Sequence, residues 1–444
     1  MVQRRKMLVL LLVLALCCWG LTGLYAKGGQ EEKPSEGAMA PKVEQVTLTG
    51  ETPSGDLEIF SWWAGDEGPA LEALMKLYES KNPQVNVINA TVTGGSGINA
   101  KAVLKTRMLG GDPPASFQVH AGQELIGTWV AAERMLDLTP LFEQEGFLDV
   151  FPKDLVNNIG TEQGIWSVPV NIHRSNVLWY MPEKLKGWGL EPPETWDDFF
   201  AVADKIKAQG VVPLSLATTW TVNHLWESVA LAVLGSDTYD ALWAGEISWT
   251  DPRVVDVWAT FGRVLEYTNE DAPSLSWQQA TDMVVNGQAA FNVMGDWAAG
   301  YMATTLKLAP EKDFGWAAAP GTDGVFMFLA DSFGFPKGSP NPAAALAWLA
   351  ACGSKEGQDA FNPLKGSISA RTDTDLSKYN VYSRSAAADF GKNRIVGSQA
   401  HGVVANEGFM NDFFTVMEMF LSSRDPQQAA NACQAIAIQN GMGR

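Results

Sequence analysis

From Leu57 to Leu136, short apolar runs alternate with helical stretches, and that alternation restricts the chain to a parallel sheet with helices crossing over it. Strand patterns fall at 57–61, 85–89 and 117–120, and helical patterns at about 69–80, 99–109 and 123–131. In open α/β sheets ligands collect outside the carboxyl ends of the strands. At that end of the first strand the chain reads FSWWAGDEG, Phe60 to Gly68, with two adjacent indoles, Trp62 and Trp63, and then Glu67. The C–H face of a pyranose stacks on an indole, and its hydroxyls need acceptors such as a carboxylate. The plain alternative is that Trp62 and Trp63 are core residues. Neighbouring strand residues point to opposite faces, so at most one of them is expected in the same buried layer.

A chain of 444 residues is long enough for two or three domains, and 46% apolar against 18% charged residues marks it as core-forming. The N-terminus reads as a secretory leader. Arg4, Arg5 and Lys6 precede the apolar run Leu8–Leu16, and Leu24-Tyr25-Ala26 is a cleavage site for a leader of residues 1–26. Cys17 or Cys18 is the alternative point of lipid attachment. Residues 27–55, rich in Gly, Glu, Pro, Ser and Lys, are expected to be a disordered tether. Losing residues 1–26 removes those three basic residues and no acid, which moves the formal charge from −18 to −21. Such a chain is a poor partner for nucleic acid or an anionic membrane surface. Export permits a disulfide between Cys352 and Cys433; two buried free thiols is the other reading.

Further along, Gly95-Ser96-Gly97-Ile98-Asn99-Ala100 fits a dinucleotide fingerprint. It follows the second strand, and the next strand ends Gln118-Val119-His120 with no acid for a ribose, so it reads better as a turn at a cleft rim. Residues 164–180 (GIWSVPVNIHRSNVLWY) are near-continuously apolar around Pro169, which predicts two strands joined at a bend, as in a crossover between domains. Thr195 with Asp198 predicts a capped helix start, residues 220–270 are helical and tryptophan-rich, and Trp277 opens a helix to Asn286. A strand at 289–294 turns at Gly295 into a helix beginning with Trp297, repeating an indole at a strand's carboxyl end. Residues 327–334 read as a strand running into a turn, with Asp331 at the strand's end, Lys365 as a loop residue, and the tail from Lys378 as helical apart from the loop around His401.

Those stretches, together with PETWDDF, AAFNVMGDWAAGYM and GSKEGQDAFNPLKGSISAR, resemble the extracellular sugar-binding proteins of ABC importers over nearly all of the chain after Leu57. Within that family (the family 1 type) the sequence is most similar to glucose/galactose/mannose-binding proteins. The resemblance implies a two-lobed α/β fold of the type II periplasmic-binding-protein kind, each lobe a mostly parallel sheet flanked by helices, with crossover hinges between lobes. It implies lobe 1 from 57–166 with 332–377 and lobe 2 from 167–331 with 378–444. It further implies a monomer that captures a monosaccharide by hinge closure and hands it to a membrane permease. The implied sugar contacts are Trp62, Trp63, Glu67, Gln118, His120, Trp277, Trp297, Asp331, Lys365 and His401.

This set makes chemical sense on its own. Indoles offer flat apolar faces, Asp331 and Glu67 accept from hydroxyls, Lys365 donates, and Gln118 does both. The mixture is not cationic, which favours a neutral hexose over an acidic ligand. Two other classes share the residues. Glu67 and Asp331 could be the acid–base pair of a glycoside hydrolase, and a sugar-sensing receptor would use the same fold. His120, His173, His224 and His401 lack H-E-x-x-H spacing and there is no cysteine cluster, so neither a metal nor a cofactor is expected.

Overall fold

The computed structural model describes residues 43–94 and 97–442. The expected leader, both candidate lipidation cysteines and the tether as far as residue 42 lie outside the described residues. Residues 43–55 do not behave as their composition predicts. Val46 is buried, its N–H donates to the Asp137 carbonyl at 3.0 Å, and Gln45 bridges Asp137 in parallel. Two valines in a polar stretch are enough to dock it.

The first lobe forms around β1 (Gly55–Ser61), which pairs in parallel with both β2 (Val85–Thr91) and β3 (Ser116–His120). Helices α1 (Gly68–Lys81) and α2 (Ile98–Gly110) connect these strands, as the alternating pattern predicts. The expected helix at 123–131 is instead a single π-helical turn, Leu125–Val130. The segment 164–180 breaks into more pieces than two. After the short strand Gly164–Ile165 come β4 (Ser167–Pro169), β5 (His173–Arg174) and β6 (Val177–Tyr180). Pro169 ends β4, and the chain passes between sheets over Val170–Ile172, held by Val170 N–H on Asp331 O and by a bridge from Ile172 to Ile368.

In the second lobe, β7 (Val212–Ser215) runs parallel to β8 (Ala289–Val293), and β6 lies antiparallel to β8 and β9 (Gly315–Ala318). Residues 327–334 fall in two strands rather than in a strand and a turn: β10 (Val325–Leu329) and β11 (Asp331–Gly334). The break falls at Ala330 because the two halves belong to different sheets. β11 sits between β3 and β4, antiparallel to both, so the first sheet has the order β2-β1-β3-β11-β4. β10 pairs with β5 and with β12 (Arg394–Gly397), a strand that the helical reading of the tail did not foresee. Asp331 therefore begins a strand at the crossover instead of ending one.

Local signals set several helix starts. Thr195 accepts from Asp198 N–H at 3.1 Å, and Asp198 returns the bond to Thr195 N–H, closing the expected capping box. Ser276 and Gln279 do the same for α4 (Trp277–Asn286). Lys365 is the last residue of a helix, Lys355–Lys365, and is not in a loop. Gly366 stops that helix at φ +85°, where a Cβ would stand 2.4 Å from Gly300 N. Two apolar cores result, one around Leu57, Phe117 and Trp348, the other around Trp226, Trp258 and Phe413. Cys352 and Cys433 are both buried free thiols, which removes the disulfide reading. Among the described residues, no helix is long and apolar enough to cross a membrane.

Candidate functional site

A cavity of about 550 Å³ lies where the carboxyl end of β1, the Ala330 crossover and the starts of α4 and the Trp297–Gly300 helix converge. Its volume is within the roughly 300–1,000 Å³ range of small-molecule clefts. Nine of the ten residues named from sequence line it: Trp62, Trp63, Glu67, His120, Trp277, Trp297, Asp331, Lys365 and His401. Gln118 does not. It is buried behind the wall, so it supports the site and does not face it.

Each indole is fixed by its surroundings. Trp63 packs on Phe361 and Phe333 and is 1% exposed, while Trp62 lies under the Lys101 ammonium and against Gly97. Both are buried and both line the cavity. The strand has ended at Ser61, so the alternation of faces no longer applies at Trp62 and Trp63. Trp297 heads its short helix beside His173, His224 and His401. Trp277 is the first residue of α4 and packs edge-on to Tyr301.

Asp331 is the polar centre. Its Oδ1 accepts from Gln118 Nε2 at 2.9 Å, and its Oδ2 accepts from Asn171 Nδ2 at 2.8 Å. His120 Nε2 lies 3.6 Å away and His173 Nε2 3.5 Å. Burial pushes the Asp331 carboxyl up, but the His173 hydrogen bond and the charges of His120, His173 and Lys365 prevail and hold it well below the carboxylate range. His173 is driven in the opposite sense. Burial disfavours its charge, and Asp296, hydrogen-bonded to Nδ1, outweighs that and raises it. Behind His120, Glu124 accepts from Nδ1 at 2.7 Å and pairs with Lys101 at 2.7 Å. Burial raises Glu124, but Lys101 and His120 bring it down to about 2. Across the cleft, Lys365 Nζ meets Glu67 Oε1 at 2.6 Å, so that lysine reaches the cavity already paired.

Several lining groups were not read from the sequence. His173 lies in the crossover, where an apolar run hid it. Trp220 follows β7 near the start of α3 (Thr219–Leu234) and also lines the cavity, with Thr218 and Leu329. Trp220 repeats the signal used for Trp62 and Trp297, an indole just past a strand's carboxyl end, so it could have been found. The turn at Thr93, Gly94 and Gly97 forms the rim, as its glycines imply. A cleft of this kind pairs flat apolar faces with fixed, mutually satisfied polar groups, which suits an uncharged ligand rich in hydroxyls.

A model of the bacterial extracellular solute-binding proteins matches residues 63–359. The chain belongs to that family. Its members bind solutes, which places this solute-binding protein among receptors and not among enzymes. It is 34% identical to an uncharacterized ABC transporter extracellular-binding protein of Pyrococcus horikoshii, over 96% of this chain and 95% of that one. It is also 30% identical to a probable sugar-binding periplasmic protein of Brucella suis, over 82% and 87% of the two chains. Among solved structures, the bacterial solute receptor AcbH superposes with a TM-score of 0.77 at 21% identity, over 87% of this chain and 99% of its own. That likeness makes the fold the two-lobed type II form.

Proposed function

We propose that this solute-binding protein captures a monosaccharide (glucose, galactose or mannose) in the cleft and presents it to an ABC permease in the membrane. The observation that carries the reading is the pairing of five indoles, Trp62, Trp63, Trp220, Trp277 and Trp297, with Asp331, His120, His401 and the Glu67–Lys365 pair around one cavity. The relatives support the substrate class. One is named a glucose-binding protein in Saccharolobus solfataricus, and another a xylose/arabinose-binding protein in Haloferax volcanii. AcbH is described as preferring β-D-galactopyranose exclusively.

In this reading residues 57–166 with 332–377 form one lobe and 167–331 with 378–444 the other, with the ends of the second range, β4 and Asp331, running into the first lobe's sheet as the crossovers. The protein acts as a monomer outside the cytoplasm, exported by its leader and either free or anchored at Cys17 or Cys18. Sugar touches both lobes, so it binds the closed form better, and that difference in affinity closes the hinge. No bond of the sugar is broken.

Tryptophan fluorescence and melting temperature, followed against glucose, galactose, mannose, maltose and a sugar acid, test the reading. A ligand that binds only the folded state raises the melting temperature by mass action. Saturable response to a hexose, with the sugar recovered unchanged, is the expected result. Response to maltose alone would keep the receptor and overturn the monosaccharide, and turnover of a glycoside would overturn both.

A further inference from the structure

In the cleft floor, His401 of the cavity wall meets two buried side chains that the sugar reading does not use. His224 and Glu227 stand three residues apart on α3, so their side chains share a face of a helix that is buried almost throughout. The loop after β12 brings His401 against them. His224 Nδ1 is 3.1 Å from His401 Nε2 and 3.5 Å from Glu227 Oε1, and all three donor atoms lie within 4.8 Å of one another. Ser175 Oγ, from the crossover, is 3.3 Å from His224 Nδ1 and also donates to Glu227 Oε1.

The two spacings from His224 Nδ1, 3.1 and 3.5 Å, match those of a tetrahedral metal site. Bonds of about 2.0–2.1 Å from zinc to nitrogen and oxygen put neighbouring donors about 3.3 Å apart. The outer shell is also in place. Ser398 Oγ and Ala400 N–H both donate to Glu227 Oε2, at 2.8 and 2.9 Å, which fixes the carboxylate with Oε1 turned to the imidazoles. Among the described residues, Glu227 has no lysine or arginine partner, and its one recorded ion-pair neighbour is His224. A buried carboxylate without a cation is costly. His401 also lines the cavity, so an ion has a path in from the cleft.

We infer that His224, Glu227 and His401 form a divalent-cation site of the zinc class in the floor of the cleft, with Ser175 or a water as the fourth ligand. Two imidazoles and one carboxylate favour zinc and its neighbours over calcium or magnesium, which prefer all-oxygen shells. Metal spacing was missed in the sequence because His401 lies 177 positions from His224. His401 is shared with the sugar wall, but the site is tested with Zn2+ alone and no sugar, so its failure is distinguishable from failure of the sugar reading.

The full chain is stripped with chelator and titrated with Zn2+ alone. Bound metal per chain and affinity against a chromophoric chelator are read, and Co2+ is then substituted to record its visible absorption. One equivalent of Zn2+ and an intense tetrahedral Co2+ spectrum are expected. Glu227→Gln and His401→Asn should each weaken the affinity by at least about 100-fold, beyond the tenfold to hundredfold cost of losing an outer-shell partner. His401→Asn keeps α3 and its carboxylate intact, so it decides the matter if Glu227→Gln does not fold. Absence of a tight equivalent, a weak octahedral spectrum, or binding that survives both variants and disappears in Cys352→Ala/Cys433→Ala would overturn the site.

Discussion

Gln118 stands behind Asp331 and ties it to the first tryptophan: its Nε2 donates to Asp331 Oδ1 at 2.9 Å, while its Oε1 accepts from Trp62 N–H at 3.2 Å. One buried amide thus sets the position of a carboxylate on β11 and of the backbone that carries an indole after β1. Gln118→Ala leaves both partners buried and one bond short, at a cost of roughly 1–3 kcal/mol each. Sugar affinity should fall by about tenfold to a hundredfold, although Gln118 does not line the cavity. Calorimetric titration with the best-binding hexose checks this, and an unchanged affinity would remove its supporting role.

Two tryptophans of equal size should separate binding from stability. Trp297 lines the cavity, while Trp226 is fully buried in the second core among Trp249, Trp258 and Phe413. Trp297→Ala should weaken sugar binding by about 1–3 kcal/mol through lost apolar contact. Trp226→Ala should lower stability by about 3–5 kcal/mol and leave affinity nearly unchanged in whatever fraction stays folded. Paired denaturation and titration experiments distinguish them. A Trp297→Ala protein that binds normally would show that its ring does not stack on the ligand.

The parallel part of the first sheet was legible because Leu57, Ile59 and Phe60 alternate with helical stretches in an unmistakable order. Most of the candidate site was named through the family resemblance; the residues alone offered only indoles just past strand ends, as at Trp62 and Trp297, and left a core role open for each. The antiparallel insertion of β11 was not legible. In sequence, Asp331 and Ser332 after the apolar run 327–330 read as a turn, and only the three-dimensional competition of two sheets makes them start a second strand after Ala330. Lys365 was expected in a loop over residues 362–366, yet the helix carries Pro363 inside it and runs on to Lys365. The histidine pairings across the floor join residues far apart in the chain, and no local pattern encodes them.

Acid should loosen the first lobe before it affects the rest. The folded pKa of Glu124 is depressed to about 2 by Lys101 and His120, whereas an unfolded glutamate titrates near 4.3. Its contribution to stability is fully present above the unfolded value and is lost as pH falls from there towards 2. It amounts to roughly 3 kcal/mol. Asp331 is depressed as well and adds to the same slope. Urea unfolding between pH 6 and pH 3 (about 1.5 units either side of the unfolded value) should show stability falling with pH. Glu124→Gln, less stable at neutral pH, should give a shallower slope. Equal slopes in the two proteins would mean that the Lys101–Glu124–His120 chain carries no net stabilisation.

Gly97 offers the most selective way to disturb the cleft from its rim. It caps α2 at φ +90°, and a Cβ there would lie 2.9 Å from the Trp62 ring. An alanine must strain the left-handed backbone and push the indole at once. The strain costs about 1 kcal/mol of stability. Displacement of Trp62 acts on the binding wall itself, so sugar affinity should drop by more than the stability change accounts for. The measurement is the hexose dissociation constant of Gly97→Ala beside that of Gly111→Ala. Gly111 also sits at positive φ, at the other end of α2, with nothing within 4 Å of its Cβ position. Equal affinity in the two variants would show that Trp62 does not depend on this turn, whereas a loss confined to Gly97→Ala would make the rim glycine a determinant of the site's shape.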